Sequence, residues 1–332
     1  MRLPLAIACL GIAVSGGAWA DCRLEQVTAM PLLPLGAHFA VMAGIEDVTR
    51  PIVVDTGAPR TLLKASVAKE LGLKEDPQHA QRSFGIGQTT GDFRPNVIPA
   101  RLAFGALVLK DRSTVVATMD DGGTPEKDSI GLLGDDILSQ YDVEFDFPGH
   151  TLAFYREDGC YDTFLPWTGV FSTIPFDHRG AKVTIDVLLN SERTRAMLDT
   201  GNNLSFVSLS ASALWGAATD DLAPTATRIR SPFNGGAPMP VSAYPFTQVD
   251  IGDESFQDKK LGVVDVKMPL ASANLGLDYW SSRKIWISYP HQWLFVADDP
   301  SAVKLAYSIA PAPAAWPGAS PAKTPGQVEV AK

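Results

Sequence analysis

The chain has 332 residues, of which 45% are hydrophobic, enough to bury the core of about two domains of ordinary size. Its formal net charge is −9 at neutral pH, with no basic stripe that could neutralise phosphates, so the composition excludes a nucleic-acid partner. After residue 20, no run reaches the roughly 18 to 20 apolar residues that a membrane helix needs.

Residues 1–20 have the pattern of a signal peptide. Arg2 supplies the charged start, residues 5–14 form a short apolar stretch, and residues 18–20 make an A-x-A cleavage site. The sequence therefore predicts export to the periplasm or secretion. The mature chain would begin at Asp21 and carry no membrane anchor.

The cysteines agree with export. Cys9 lies in the signal peptide, so Cys22 and Cys160 remain as an even pair in an oxidising compartment. The pair predicts one disulfide. Two free buried thiols are the alternative.

The rest of the chain is two copies of one unit, about residues 31–156 and 174–297, joined through residues 159–173. Each copy has an apolar run that ends in a D-T-G triplet, and the triplets lie 199 − 55 = 144 residues apart. The first triplet is Asp55, Thr56 and Gly57, followed by Ala58; the second is Asp199, Thr200 and Gly201, followed by Asn202.

Each triplet is followed by matching elements. A short helix with a serine cap and a closing glycine is predicted at residues 66–72 and again at residues 210–216. Further on, the triplet at residues 132–134 (Leu-Leu-Gly) matches that at residues 274–276 (Asn-Leu-Gly), at an offset of 276 − 134 = 142. Alternating segments such as VEFDF and KIWIS predict short strands.

The fold prediction is therefore all-β with a few short helices. The predicted boundaries are a first lobe at residues 21–160, a second lobe at 161–307 and a disordered Pro- and Ala-rich tail at 308–332.

Two D-T-G turns in a pseudo-symmetric chain predict a site. If the two units pack about a two-fold axis, Asp55 and Asp199 meet there, share a proton and titrate as a pair. One carboxylate then acts as a base on water while the other protonates a peptide carbonyl, and the roles reverse to release the amine. This chemistry needs neither a metal nor a cofactor, and the five scattered histidines predict no metal site.

The small residues of each triplet have supporting roles. The hydroxyls of Thr56 and Thr200 can bond across the axis, while Gly57 and Gly201 allow a close approach of the two backbones. We interpret Asp136 and Asp278, which the copies share, as helix-start or turn residues rather than catalytic ones.

In these motifs the sequence resembles the aspartic proteases of the retropepsin and pepsin superfamily, over about residues 31–297. It is most similar to bacterial exported proteins in which both lobes are fused in one chain. The resemblance implies two pseudo-symmetric, retropepsin-like β-barrel lobes with the active site between them. It also implies a monomer that acts as an aspartic endopeptidase on an extended polypeptide.

The family folds a glycine-rich hairpin, the flap, over its substrate. Residues 83–93 lie where the first flap belongs, and residues 231–239 are a looser candidate for a second flap. An ordinary exposed hairpin is the alternative for both. The candidate substrate-binding residues of the first flap are Phe84, Gly85, Ile86 and Gly87.

The second lobe departs from the family pattern at two positions. Asn202 stands where a serine, threonine or alanine is usual, and its amide can still donate a hydrogen bond to a carboxylate. Asn274 stands where an apolar residue is usual. These two residues keep open a catalytically silent peptide-binding module of the same fold. A third reading, an ATPase with two D-x-G phosphate turns, needs ATP outside the cytoplasm and long helical subdomains, which the sequence lacks.

Overall fold

The computed structural model describes residues 22–83, 85, 91–119, 128–160, 165–217, 219–230 and 238–297. The predicted signal peptide, the predicted tail and most of both predicted flap tips lie outside the described residues. Within these ranges strands dominate and the helices are short, which confirms the all-β prediction. No helix of the described part is long and apolar enough to cross a bilayer.

We call the half before residue 160 the first lobe and the half after it the second lobe. The described strands of the first lobe are β1 (Arg23–Pro31), β2 (Leu33–Leu35), β3 (His38–Ile45), β4 (Val48–Val54), β5 (Leu62–Lys64), β6 (Lys74–Ser83), β7 (Asp92–Ile98), β8 (Leu102–Phe104), β9 (Leu107–Leu109), β10 (Val115–Ala117), β11 (Gly131–Leu133), β12 (Asp142–Asp146) and β13 (Thr151–Asp158). Its helices are α1 (Ala65–Glu70) and α2 (Asp135–Leu138).

The second lobe repeats much of this order. Its described strands are β14 (Phe171–His178), β15 (Val183–Leu189), β16 (Glu192–Leu198), β17 (Phe206–Ser208), β18 (Ala223–Ile229), β19 (Met239–Ile251), β20 (Glu254–Val264), β21 (Ala273–Leu275), β22 (Lys284–Ser288) and β23 (Trp293–Ala297). A helix α3 (Leu277–Trp280) and two 3-10 helices, Leu209–Trp215 and Thr219–Asp221, complete it.

The two lobes share an antiparallel run of six strands, in the order β1-β13-β12-β22-β23-β14. The lobes meet between β12 and β22, where Val143 pairs with Ile287 and Phe145 pairs with Ile285. Val143 and Ile285 hold equivalent positions in the two copies, 142 residues apart, and so do Phe145 and Ile287. The two pairs are therefore the same contact seen from either lobe. This reciprocity is that of a two-fold axis between two copies of one unit.

Each lobe builds its D-T-G turn at the centre of a sheet. In the first lobe β11 lies between β4, to which it runs parallel, and β5, to which it runs antiparallel. In the second lobe β21 lies in the same way between β16 and β17. Both faces of these inner strands are covered, which suits the apolar β11, while β21 carries the buried polar residue Asn274.

The predicted short helices form, with different starts. Helix α1 begins after Lys64, which makes no side-chain cap, so the serine cap predicted at Ser66 is wrong. In the second lobe the segment is a 3-10 helix capped by the hydroxyl of Ser208, two residues before the predicted Ser210. The closing glycine is correct in both copies, since Gly72 and Gly216 take the left-handed conformation with φ 59° and 73°.

The predicted disulfide is present. Cys22 and Cys160 are bonded, with their Cα atoms 4.5 Å apart and a sequence separation of 138. The bridge joins the start of β1 to the residues after β13, its neighbour in the shared sheet. It therefore ties the N-terminal edge strand to the sheet between the lobes.

We expect removal of this bridge to lower stability without altering the site. Replacing both Cys22 and Cys160 with serine should lower the free energy of unfolding by about 2 to 4 kcal/mol, since the unfolded chain regains the entropy of a long loop. Urea unfolding monitored by tryptophan fluorescence measures the change, and reduction of the unmodified protein should reproduce it. Equal unfolding midpoints with and without the bridge would contradict this expectation.

Candidate active site

The two D-T-G turns have equivalent positions in their lobes because the same backbone hydrogen bond holds each aspartate. Asp55 follows β4, and its N–H donates to the carbonyl of Leu133 at 2.9 Å. Asp199 follows β16, and its N–H donates to the carbonyl of Leu275 at 3.0 Å. Both acceptors belong to the central strand of their lobe, so the position of each aspartate is fixed by a sheet rather than by a free loop.

Thr56 and Thr200 cross the two-fold axis and join the lobes. Thr56 Oγ1 donates to the carbonyl of Leu198 at 3.0 Å and accepts from the N–H of Thr200 at 3.0 Å. Thr200 Oγ1 donates to the carbonyl of Val54 at 2.9 Å and accepts from the N–H of Thr56 at 3.1 Å. Both side chains are buried. The four bonds hold the two turns in register.

The glycines bring each carboxylate against the opposite turn. A Cβ on Gly57 would lie 2.3 Å from an Asp199 carboxylate oxygen, and a Cβ on Gly201 would lie 2.2 Å from Cγ of Asp55. Any side chain at either position would therefore overlap with the partner's carboxylate. Each aspartate thus packs on the glycine of the other lobe, which places both carboxylates at the axis.

Two further backbone donors orient the carboxylates. The N–H of Ala58 donates to Asp55 Oδ1 at 2.9 Å, and the N–H of Gly201 donates to Asp199 Oδ1 at 3.0 Å. We call the carboxyl groups of Asp55 and Asp199 the dyad. Among the described residues, the side chain of Asn202 makes no hydrogen bond to it. Its Oδ1 instead accepts from the N–H of Leu204 at 3.1 Å. The structure thus gathers the predicted triplets, while Asn202 closes its own turn.

In each lobe the second motif, residues 132–134 or 274–276, supports the segment after the D-T-G turn through hydrogen bonds. Thr61 Oγ1 accepts from the N–H of Gly134 at 3.0 Å, and the N–H of Thr61 donates to Asp136 Oδ1 at 2.6 Å. Ser205, 144 residues later, accepts from Gly276 at 2.9 Å and donates its N–H to Asp278 at 2.8 Å. Asp136 and Asp278 therefore anchor backbone, as the structural interpretation requires.

Burial and charge act on the dyad in opposite directions. Desolvation raises the pKa of Asp55, and desolvation together with the charge of Asp55 raises the pKa of Asp199 to about 7. The positive charges of Lys182 and His38 oppose both shifts and lower the pKa of each carboxyl. At mildly acidic pH the pair therefore retains a proton, which is the state that acid–base catalysis by two carboxyls requires.

This electrostatic arrangement predicts a pH-dependent cost to stability. Because folding raises the pKa of the carboxyls, the stability they contribute is fully present below their unfolded pKa of about 4 and is lost as pH rises through the folded values. Replacing Asp199 with asparagine should remove much of this loss. Asp55 would then lie beside one fewer negative charge.

We expect Asp199→Asn to raise Tm at pH 8 by about 3 to 8 °C and to change Tm little at pH 4, since 1 kcal/mol moves the Tm of a chain this size by about 2 to 4 °C. Differential scanning calorimetry from pH 4 to pH 8 measures both differences. Asp253→Asn, at an exposed aspartate, is the matched control. Parallel curves of Tm against pH for the two variants would refute the prediction.

The predicted flap falls at the tip of a hairpin. Strands β6 and β7 pair antiparallel, with Ser83 opposite Asp92 at the end of the described ladder. Of the four candidate flap residues, Phe84, Ile86 and Gly87 lie outside the described residues, and Gly85 is half-buried. The second candidate, residues 231–239, spans the tip between β18 and β19, of which residues 231–237 are outside the described part.

Comparison with known proteins agrees with this architecture. Residues 41–137 match the family model for aspartyl proteases. The chain is also similar to the crystal structure of an aspartic proteinase from Irpex lacteus, with a TM-score of 0.51 and 15% sequence identity, over 85% of this chain and 99% of that one. The matched residues include the first D-T-G triplet and the Leu-Leu-Gly motif at residues 132–134, so the first lobe is similar to aspartyl proteases in both motifs. No curated protein matches the sequence. The similarity to the Irpex lacteus proteinase establishes the two-lobed all-β fold predicted above.

Sequence reasoning missed two residues beside the dyad of this aspartic protease fold. His38 Nε2 lies 3.1 Å from the carbonyl oxygen of Gly201, and Lys182 Nζ donates to the carbonyl of Gly57. A signal was present in the sequence, because 182 − 38 = 144 is the offset of the two triplets. One position holds histidine and the other lysine, so the match escapes a search for identical residues.

Proposed function

We propose that this protein is an exported aspartic endopeptidase that hydrolyses peptide bonds of an extended polypeptide through Asp55 and Asp199. The single observation that carries the proposal is the packing of each carboxylate on the glycine of the opposite D-T-G turn. That packing places the half-buried carboxylate of Asp55 and the buried carboxylate of Asp199 at one axis, where they titrate as a pair. The family match and the fold support the same class of chemistry.

The geometry suits a direct attack by water. The ionised carboxyl of the pair accepts a proton from a water molecule while the protonated carboxyl donates to the substrate carbonyl oxygen. The roles then reverse, and the newly protonated carboxyl donates to the leaving amine. Cross-lobe bonds of Thr56 and Thr200 keep the carboxyls in place through both steps. The hairpin of β6 and β7 is the proposed lid over the substrate.

Export completes the proposal. The Cys22–Cys160 disulfide supports an oxidising compartment, the periplasm or the exterior. Because both halves of the dyad come from one chain, we propose that the protein works as a monomer. The proposed partner is the polypeptide substrate, without nucleic acid, cofactor or membrane anchor.

The test is cleavage of a mixed peptide library by the mature protein from pH 3 to pH 8, read by mass spectrometry. We expect internal cuts that a statine-type transition-state inhibitor abolishes, because statine places a hydroxyl where the attacked carbonyl would lie. Cleavage that persists with the inhibitor but stops with a chelator would reject the proposal in favour of a different hydrolase.

A silent peptide-binding module is the second candidate, and Asn274 is the observation that favours it. This residue is buried at the centre of the second lobe's sheet, and both heteroatoms of its amide lack a hydrogen-bond partner among the described residues. Its first-lobe counterpart, Leu132, packs in an apolar cluster with Val53 and Ala58. Peptide binding without any cutting between pH 3 and pH 8 would select this candidate.

A further inference from the structure

His38 and Lys182 occupy equivalent places in the two lobes. His38 is the first residue of β3, and Lys182 directly precedes β15. Each follows a turn that contains a glycine of positive φ two residues earlier, Gly36 at 63° and Gly180 at 58°. The repeat has therefore put a basic side chain at the same point of both copies, at the start of the strand that comes one strand before the D-T-G turn.

Each basic side chain crosses to the other lobe. His38 Nε2 contacts the carbonyl of Gly201 at 3.1 Å, and Lys182 Nζ donates to the carbonyl of Gly57. For the first contact to be a hydrogen bond, Nε2 of His38 must carry the proton. Both side chains are half-buried, so water screens their charge less than it would at the surface.

The two acceptors are the glycines against which the carboxylates pack. Gly57 lies against the Asp199 carboxylate, and Gly201 lies against the Asp55 carboxylate. Lys182 therefore contacts the glycine that packs on the Asp199 carboxylate, and His38 contacts the glycine that packs on the Asp55 carboxylate. The two cations flank the dyad from opposite sides of the axis.

The other charged groups packed around the turns are engaged elsewhere. Asp135 lies 2.9 Å from His178 Nε2, Asp136 binds Arg112 at 3.0 Å, and Asp278 accepts from Ser205. Among the described residues, the cations that act on the dyad are Lys182 and His38, and both favour its ionised form.

We propose that Lys182 and His38 are positioning residues, a two-fold-related cationic pair that clamps the two D-T-G turns and sets the pH range in which the dyad works. The inference deepens the proposed function and rests on it. Removing one cation leaves the dyad less able to hold negative charge, so both the gain and the loss of activity move to higher pH. Histidine is the side chain whose charge changes between pH 5 and 8, so the two lobes contribute unequally to this control.

The test compares Lys182→Gln with Lys182→Arg, which keeps the charge, and with Lys110→Gln, at an exposed lysine far from the site in the sequence. Of these three variants, only Lys182→Gln should move the profile of kcat/KM against pH, measured from pH 3 to pH 8, toward higher pH, by about 0.5 to 1 pH unit. On the acidic limb this is a fall of about 3- to 10-fold in rate. His38→Gln, a second and independent variant, should shift the profile in the same direction.

A second readout does not depend on turnover. Carboxyl ¹³C resonances of labelled aspartates, assigned with the Asp55→Asn and Asp199→Asn variants, report the titration of the dyad directly. An upward shift in folded Lys182→Gln and His38→Gln supports the cationic pair even if no peptide is cut, in which case only the proposed function fails. Cleavage with unchanged profiles and unchanged titrations in both variants would overturn the inference and leave the proposed function intact.

Discussion

Asp55→Asn and Asp199→Asn should each lower kcat/KM for peptide cleavage by about 10³-fold or more. An asparagine amide can neither accept the proton of the attacking water nor donate one to the substrate carbonyl, and proton transfer by a positioned group is worth about 10² to 10⁴ in rate. Since the two carboxyls act as one unit, the double variant should lose little beyond either single one. Initial rates on a cleaved library peptide measure this.

Controls separate chemistry from folding. Asparagine has almost the volume of aspartate, so the backbone bonds from Ala58 and Gly201 to the former Oδ1 positions can persist. Circular dichroism should therefore be unchanged, and Asp253→Asn should keep full activity. Residual activity above about one tenth in either dyad variant would rule out the proposed mechanism.

The double variant Thr56→Val, Thr200→Val should be the least stable folded form of the protein. It removes all four bonds across the axis and leaves buried N–H and carbonyl groups unpaired. Each lost bond costs about 1 kcal/mol, and unpaired buried groups cost more. We expect a fall of about 3 to 5 kcal/mol in the free energy of unfolding, against about 1 to 3 kcal/mol for either single change.

The same variant should also lose activity. Small displacements of a reacting group can cost about 10²-fold in rate, and the threonines are what hold the turns in register. Thr56→Ser with Thr200→Ser keeps the hydroxyls and should stay close to the parent protein in both measurements. Thr49→Val, at an exposed position of β4, is the surface control. A double valine variant that unfolds at the same urea concentration as Thr49→Val would contradict the cross-lobe role.

Much of the fold could be predicted because the sequence contains two copies of one unit. The offset of 144 residues between the triplets and of 142 between the second motifs predicts two equivalent units, and alternating apolar residues predict their strands. The cysteine count, taken with the predicted signal peptide, predicted the disulfide. The helix starts were less predictable. Ser66 lies in a sequence that resembles a capped helix, yet the chain turns after Lys64, because packing sets where the helix begins.

Local pattern was sufficient to predict that Asp55 and Asp199 lie together and insufficient to predict their surroundings. The D-T-G triplets mark Asp55 and Asp199 because an acidic residue between an apolar strand and a glycine is uncommon without a role. The hydroxyl of Thr56 bonds Leu198 rather than its own turn. This bond depends on contacts between residues more than 140 positions apart. Such contacts form only when both sheets are in place.

The sequence alone was enough to predict the repeat, the all-β class and the meeting of the two aspartates, since each is carried by short-range pattern and spacing. The folded chain alone showed that His38 and Lys182 reach across to opposite turns and that Asn202 bonds Leu204 instead of the dyad. It also showed that Asn274 is buried without a partner among the described residues. Side-chain direction, burial and charge at a site between two lobes arise from long-range packing, which residue order does not display.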